Sequence, residues 1–208
     1  MITEITVKGY FKENCFFYID EITKHGFIID PGAQADLLLS IVRRSGWTLD
    51  KILLTHGHFD HMGAADEIRR TLHIPIVACS RADEYLLDAK KNLSALCGSP
   101  IIIEDTEHIS DGGIITSAAA PALQLKAIYV PGHTGDSVMY FSESERAAFV
   151  GDTIFKGSLG AYHYPGGDPI KLRQSIIDRV FSLPDDTALY SGHSEKTTVG
   201  AEKRRYSC

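Results

Sequence analysis

Four short apolar runs, each ending through a small residue in a histidine or an aspartate, constrain this chain more than any other feature. They are Ile52-Leu53-Leu54-Thr55-His56, Ile128-Tyr129-Val130-Pro131-Gly132-His133, Phe149-Val150-Gly151-Asp152 and Leu189-Tyr190-Ser191-Gly192-His193. Apolar, partly β-branched runs of this length read as strands. In layered α/β proteins the strands deliver functional side chains to loops beyond one edge of the sheet. A glycine just before such a side chain lets the backbone turn sharply and approach its neighbours. The pattern therefore predicts that His, His, Asp and His converge at one edge.

The intervening pattern agrees with layers. Segments Ile2–Val7, Cys15–Ile19 and Gly26–Ile29 read as a strand meander closed by the turn Asp30-Pro31-Gly32. Leu37, Leu38, Ile41 and Val42 fall at helical spacing within Ala35–Arg44, with Gly46 as a stop. A strand at Lys51–Thr55, an amphipathic helix carrying Met62, Ala65, Ile68 and Leu72, and a strand at Ile74–Ala78 follow. The alternation predicts an α/β fold in one domain spanning 1–208. The stretch from Ser80 to Ala120 is the least legible, with a helix expected over Arg81–Lys91 and a loop over Ser94–Pro100. Strands return at Leu125–Val130, Ser137–Phe141 and Ala147–Val150. A helix over Ile170–Leu183 with Leu172, Ile176, Ile177 and Val180 inward precedes a last strand at Thr187–Tyr190.

The first apolar run opens into Thr55-His56-Gly57-His58-Phe59-Asp60-His61, four ligand-type side chains within six residues. In a tight loop after a strand they can wrap around a pair of ions. Imidazole nitrogen and carboxylate oxygen suit Zn²⁺, Mn²⁺ or Fe. Five neutral histidines and two aspartates place −2 against the +4 of two divalent ions, which leaves room for a bridging hydroxide. His25, His73 and His108 lie in segments without partner ligands and read as surface or turn residues. The chain has no G-x-S-x-G elbow and no phosphate-binding G-x-x-x-x-G-K-[ST], so serine-hydrolase and P-loop chemistry are not expected.

The net charge of −6 gives no field for a nucleic-acid partner, and Lys203-Arg204-Arg205 reads as a solvated tail. No signal-like start or membrane-spanning apolar stretch is present, so a cytoplasmic protein is expected. Cys15, Cys79, Cys97 and Cys208 are scattered without a C-x-x-C pair, as expected of free thiols in a reducing compartment.

These motifs resemble the metallo-β-lactamase-fold hydrolases, and most of all the short glyoxalase II-like (hydroxyacylglutathione hydrolase-like) branch. Beyond H-x-H-x-D-H, the resemblance rests on Asp30-Pro31-Gly32, Pro131-Gly132-His133-Thr134, Gly151-Asp152-Thr153-Ile154-Phe155, Pro165-Gly166-Gly167-Asp168, Ser191-Gly192-His193 and Thr197 to Lys203. It implies a four-layer αβ/βα sandwich with two mixed β-sheets. It also implies that His56, His58 and His133 hold one metal, that Asp60, His61 and His193 hold the other, and that Asp152 bridges them. Two divalent ions are expected, zinc first, with iron or manganese as alternatives. By the same resemblance Asp30 has a structural part near the site.

The expected reaction is hydrolysis of a small-molecule acyl thioester, with Asp60 orienting the hydroxide and moving its proton. Relatives commonly carry Arg and Asp where Ala161 and His163 stand, and the C-terminal helical domain of full-length glyoxalase II has no counterpart. The groove is therefore expected to be open, walled by the loop from Gly157 to Gly167, with Tyr162 and His163 toward substrate. The alternatives are a mononuclear Fe(II) persulfide dioxygenase-like oxidoreductase and a lactone hydrolase. A class B β-lactamase is disfavoured by His61 and by Asp152, where the best-known ones have Cys. Oligomeric state is left open.

Overall fold

In the computed structural model, which describes residues 1–206, the strand meander forms as expected. Strands β1 (Ile2–Lys8), β2 (Lys12–Ile19) and β3 (His25–Ile29) pair antiparallel. Parallel strands β4 (Thr48–Leu53), β5 (Ile76–Cys79) and β6 (Glu107–Ile109) extend them into a six-stranded mixed sheet in the order β1-β2-β3-β4-β5-β6. The second mixed sheet contains β7 (Ile114–Thr116), β8 (Gln124–Tyr129), β9 (Val138–Ser142), β10 (Ala147–Gly151), β13 (Ala188–Ser191) and β14 (Thr197–Thr198), ordered β14-β13-β10-β9-β8-β7. A small hairpin, β11 (Ile154–Phe155) and β12 (Ser158–Leu159), stands apart from both.

Strand alternation separates the core into layers. On β2, Phe16 and Tyr18 face Leu53, Leu125, Tyr140 and Phe149 between the sheets. Cys15, Phe17 and Ile19 face the other way, toward Leu38 and Val42 of α1 (Ala35–Ser45) and Ile68 of α3 (Ala65–Leu72). Successive side chains on a strand point to opposite faces, so one run of aromatics serves two cores. Behind the second sheet, Val130, Met139 and Val150 pack on Leu172 of α5 (Pro169–Ser175) and on Ile176 and Val180. The result is helix, sheet, sheet, helix: the four-layer αβ/βα sandwich.

Three local expectations are corrected. The helix from Ile170 to Leu183 is α5 followed by a π-helical turn at Ile176–Val180, closed by Phe181 N donating to Ile176 O at 2.8 Å. This i→i+5 turn breaks the 3.6-residue stripe, and Ile177 is half exposed instead of inward. Arg81–Lys91 yields only the single turn α4 (Asp83–Leu86). Leu37 of α1 is exposed and Leu39 takes the buried position. Among the described cysteines, Cys15, Cys79 and Cys97 are free thiols, and Cys208 lies outside the described residues.

Candidate metal centre

The four apolar runs end at one edge of the sandwich. His56, His58, Asp60 and His61 sit in the loop after β4 and in the single helical turn α2 (Phe59–Met62). His133 follows β8, Asp152 follows β10, and His193 follows β13. Two glycines make the approach possible. Gly151 has φ of +50°, and a Cβ there would stand 2.3 Å from Thr55 Oγ1. A Cβ on Gly192 would lie 2.4 Å from His61 Cε1 and 2.6 Å from Asp152 Oδ1, so nothing larger lets β13 reach the His61 ring.

Three ring nitrogens meet at His58, whose Nδ1 lies 3.1 Å from His56 Nε2 and 3.0 Å from His133 Nε2. One nitrogen carries one proton or one lone pair and cannot satisfy both neighbours. A shared cation can: at metal–nitrogen distances of ~2.0–2.1 Å, tetrahedral ligand atoms stand roughly 3.3 Å apart. A second group forms around His193 Nε2, 3.2 Å from Asp60 Oδ2 and 3.3 Å from His61 Nε2. Asp152 lies between the groups, with Oδ1 3.4 Å from His61 Nε2 and Oδ2 3.4 Å from His193 Nε2 and 3.7 Å from His133 Nε2. Its Oδ1 is buried without a hydrogen-bond partner, an expensive condition for a carboxylate unless a cation faces it. The donor set, all imidazole nitrogen and carboxylate oxygen, fits divalent transition metals.

The far nitrogens are fixed. His133 Nδ1 donates to Ala161 O at 2.6 Å and His193 Nδ1 to Lys12 O at 2.7 Å, which leaves Nε2 bare toward the site. His61 Nδ1 is 3.0 Å from Asp30 Oδ2, and His56 Nδ1 is 3.1 Å from Thr55 Oγ1. Asp30 also accepts from Thr55 N at 2.7 Å and Thr55 Oγ1 at 2.6 Å. It thus ties the end of β3 to the ligand loop.

Electrostatics separate the two groups. Burial, with neighbouring histidines adding to it, holds His56 well below its ordinary pKa and brings His58 to about 3. Burial lowers His133 as well. All three are neutral and available as ligands at pH 7. For His61 and His193 burial also opposes charge, but aspartates outweigh it and raise both: Asp152 and Asp30 for His61, Asp60 and Asp152 for His193. Burial alone would raise Asp152; His61, then His133 and His193, reverse this and hold it well below the usual carboxylate range.

A cleft of about 330 Å³ opens over these groups, lined by Phe11, Lys12, Phe59, Leu93, Phe155, Ala161 and Tyr164 besides the ligand-type residues. Tyr162 and His163 are not in its lining. Tyr162 is exposed, the His163 ring lies tilted against Tyr164 at 4.3 Å, and it is Tyr164 that packs edge-on against His58 at 5.7 Å. Loop side chains have no period from which to read which one turns inward. Glu13, which sequence patterning did not single out, lies fully buried 3.8 Å from His61 Nδ1, and burial raises its pKa well above the ordinary value. Its alternation within β2 is the one signal that could have placed it inside.

A family profile described as the metallo-beta-lactamase superfamily matches residues 9–193. The chain belongs to the metallo-β-lactamase superfamily. Members of this superfamily are metal-dependent hydrolases. The chain is 31% identical over 207 residues to the Haemophilus influenzae protein named hydroxyacylglutathione hydrolase GloC, covering 98% of this chain and 96% of that one. The crystal structure of BLEG-1 B3 metallo-beta-lactamase superposes with a TM-score of 0.91 at 33% identity, covering 98% of this chain and 97% of the other. That of TTHA1623 in a di-iron-bound form does so with a TM-score of 0.85 at 29% identity, covering 98% of each. No helix among the described residues is long and apolar enough to cross a membrane.

Proposed function

We propose that this chain is a dinuclear hydrolase of acyl thioesters, with one ion on His56, His58 and His133, the other on Asp60, His61 and His193, and Asp152 facing both. The observation that carries the reading is the convergence of these donors in two groups at 3.0–3.3 Å with Asp152 between them. Zinc suits the donor set best, and iron, as in the di-iron form of TTHA1623, or manganese is compatible with it. Divalent ions there supply a Lewis acid for a carbonyl and acidify water from about 15.7 towards roughly 7.

The chain's own residues do the rest. Asp60 orients the attacking water and accepts its proton. The Ala161 and Lys12 carbonyls keep His133 and His193 in the tautomer that leaves Nε2 free. Phe59, Phe155 and Tyr164 give the cleft an apolar lining beside these donors. The carbonyl carbon gains oxygen from water, the carbon–sulfur bond breaks with its electron pair on sulfur, and the products are a carboxylate, a thiol and a proton. A thiol has a pKa near ~8.5 and leaves without protonation. This matches a cleft that, apart from the ligand set, offers no carboxylic or imidazolium acid.

β-Lactam hydrolysis is a second reading, favoured by the likeness to BLEG-1 over nearly the whole chain. A panel of thioesters, lactones, phosphodiesters and a chromogenic β-lactam, run beside persulfide-driven oxygen uptake, tests both. Thioester turnover above the other classes is the expected result. Oxygen consumption, β-lactam cleavage or phosphodiester cleavage without thioester hydrolysis overturns it.

A further inference from the structure

The cleft holds an apolar wall that metal binding does not require. Leu93 lines it in a left-handed backbone conformation, φ +68°, although it is neither glycine nor asparagine and is only 9% exposed. Bulky residues adopt this conformation only when the surroundings force it, and such strain gathers at functional sites. The forcing residue is Asn92, which is completely buried. Its Nδ2 donates to Tyr85 O at 3.1 Å and Ile101 O at 2.8 Å, and its Oδ1 accepts from Ser94 N at 2.9 Å. Its carbonyl accepts from Phe59 N at 2.9 Å, which locks Leu93 to the residue between His58 and Asp60.

A second element meets the same place. The turn between β1 and β2 carries Tyr10 and Phe11, 69% and 47% exposed, stacked edge-on with ring centres 5.0 Å apart. Both contact Phe59, at 6.1 and 6.0 Å. Phe11, Phe59 and Leu93 form one side of the cleft, and Phe155, Ala161 and Tyr164 contribute the rest of its non-ligand lining apart from Lys12. Beyond the ligand set, the polar side chains in that lining are Lys12 and the Tyr164 phenol.

We propose that Leu93, Phe11 and Phe59 select the acyl group, and that the preferred substrates are thioesters of aromatic or branched apolar acids rather than of short 2-hydroxy acids. This rests on the thioesterase reading and names its substrate class. A cleft of about 330 Å³ is far larger than a lactoyl group fills and suits an acyl group with a ring. A small hydroxyacyl group would leave the wall against water and find no carboxylate or amide side chain for its hydroxyl beyond the ligand set.

The test compares the N-acetylcysteamine thioesters of phenylacetic and lactic acid with zinc-loaded protein. The parent is expected to favour the phenylacetyl ester in kcat/KM by about tenfold or more. Leu93→Gly, which suits the positive φ, and Phe11→Ala, at an exposed turn, are expected to remove most of that preference through KM. Zinc content should stay unchanged, and kcat/KM should fall several-fold less for the lactoyl ester than for the phenylacetyl ester. Ile22→Ala, distant and exposed, is the control and leaves the preference alone. Equal or better use of the lactoyl ester by the parent, or an equal loss on both esters in the variants, overturns the proposal.

The metal-free chain supplies a readout without turnover: broadening of the fluorine resonance of 4-fluorophenylacetamide. It is expected with the parent and the control and to be lost in Leu93→Gly and Phe11→Ala. If neither thioester is cleaved, the thioesterase reading fails by itself and the fluorine experiment decides the wall. No broadening in the parent, or the same broadening in all variants, overturns it.

Discussion

Replacing Asp30 by Asn tests whether the far side of a histidine governs what the near side can hold. Asn is nearly isosteric and, like Asp, tolerates the left-handed backbone found at this position, φ +49°. Its amide oxygen can still accept from Thr55 N, now 2.7 Å from Asp30 Oδ1. The conflict is at Oδ2, which would become an NH₂ facing His61 Nδ1 at 3.0 Å. Two donors cannot face each other, so the His61 proton moves to Nε2, the nitrogen 3.3 Å from His193 Nε2 that the second ion needs bare. Loss of such a partner typically costs 10–100-fold in metal affinity, or about 1.4–2.8 kcal/mol at 1.4 kcal/mol per tenfold. Competition titration against a chromophoric chelator resolves the two equivalents. The second should weaken by that factor in Asp30→Asn and by more than the first, whose His56 Nδ1 meets the substituted atom only through the Thr55 hydroxyl. A second equivalent as tight as in the parent refutes the tautomer argument.

Protein purified without added metal should carry one to two equivalents of zinc, iron or manganese by mass spectrometry, and less than about half an equivalent sinks the donor assignment. Asp152→Ala should lose the second ion and nearly all turnover, because two cations would face each other without the shared carboxylate. Asp168→Ala should keep activity: Asp168 caps α5, accepting from Ile170 N at 3.0 Å and Lys171 N at 3.1 Å, and losing the cap costs about 1 kcal/mol, a fall of roughly 2–4 °C in Tm. Asp136 is buried, neither oxygen has a hydrogen-bond partner, and burial lifts its pKa from 3.8 to about 7. The folded state then binds the extra proton between those values, so stability is greatest below pH 4 for this group and falls as pH rises to about 7, by up to about 4 kcal/mol. Asp136→Asn should therefore gain more over the parent in Tm at pH 8 than at pH 5, and an equal difference at both refutes this.

The ligand loop was legible because its chemistry is local: four donors in six residues after an apolar run leave few other readings. The layers were legible from period, as Phe16, Phe17 and Tyr18 show by dividing between two cores. What escaped is tertiary. Asn92 and Leu93 sit between the helix expected over Arg81–Lys91 and the loop expected over Ser94–Pro100, and their importance comes from bonds to Tyr85, Ile101 and Phe59 rather than from neighbours in sequence. The short strands β6, β7, β11, β12 and β14 were missed because two or three residues carry no alternation to count. Which of Tyr162, His163 and Tyr164 turns toward the cleft was not legible, because a loop has no period to read.

The tie from the His193 ring to the Lys12 carbonyl, and the contact of His58 with His133, join segments 181 and 75 residues apart in the chain. Each proposed ion would therefore take donors from both β-sheets and act as a cross-link closing a long loop, comparable to a disulfide between layers. Such a link is among the last native contacts a folding chain can make. The sandwich must largely assemble first, and metal then holds the two sheets in register. At a free metal concentration about a thousandfold above Kd, that adds roughly 4 kcal/mol. A chain cut in the exposed turn at Glu143–Arg146 would become two fragments whose reassociation depends on metal concentration, since the first keeps His56, His58 and His133 but the second ion needs Asp60 and His61 from one fragment and His193 from the other.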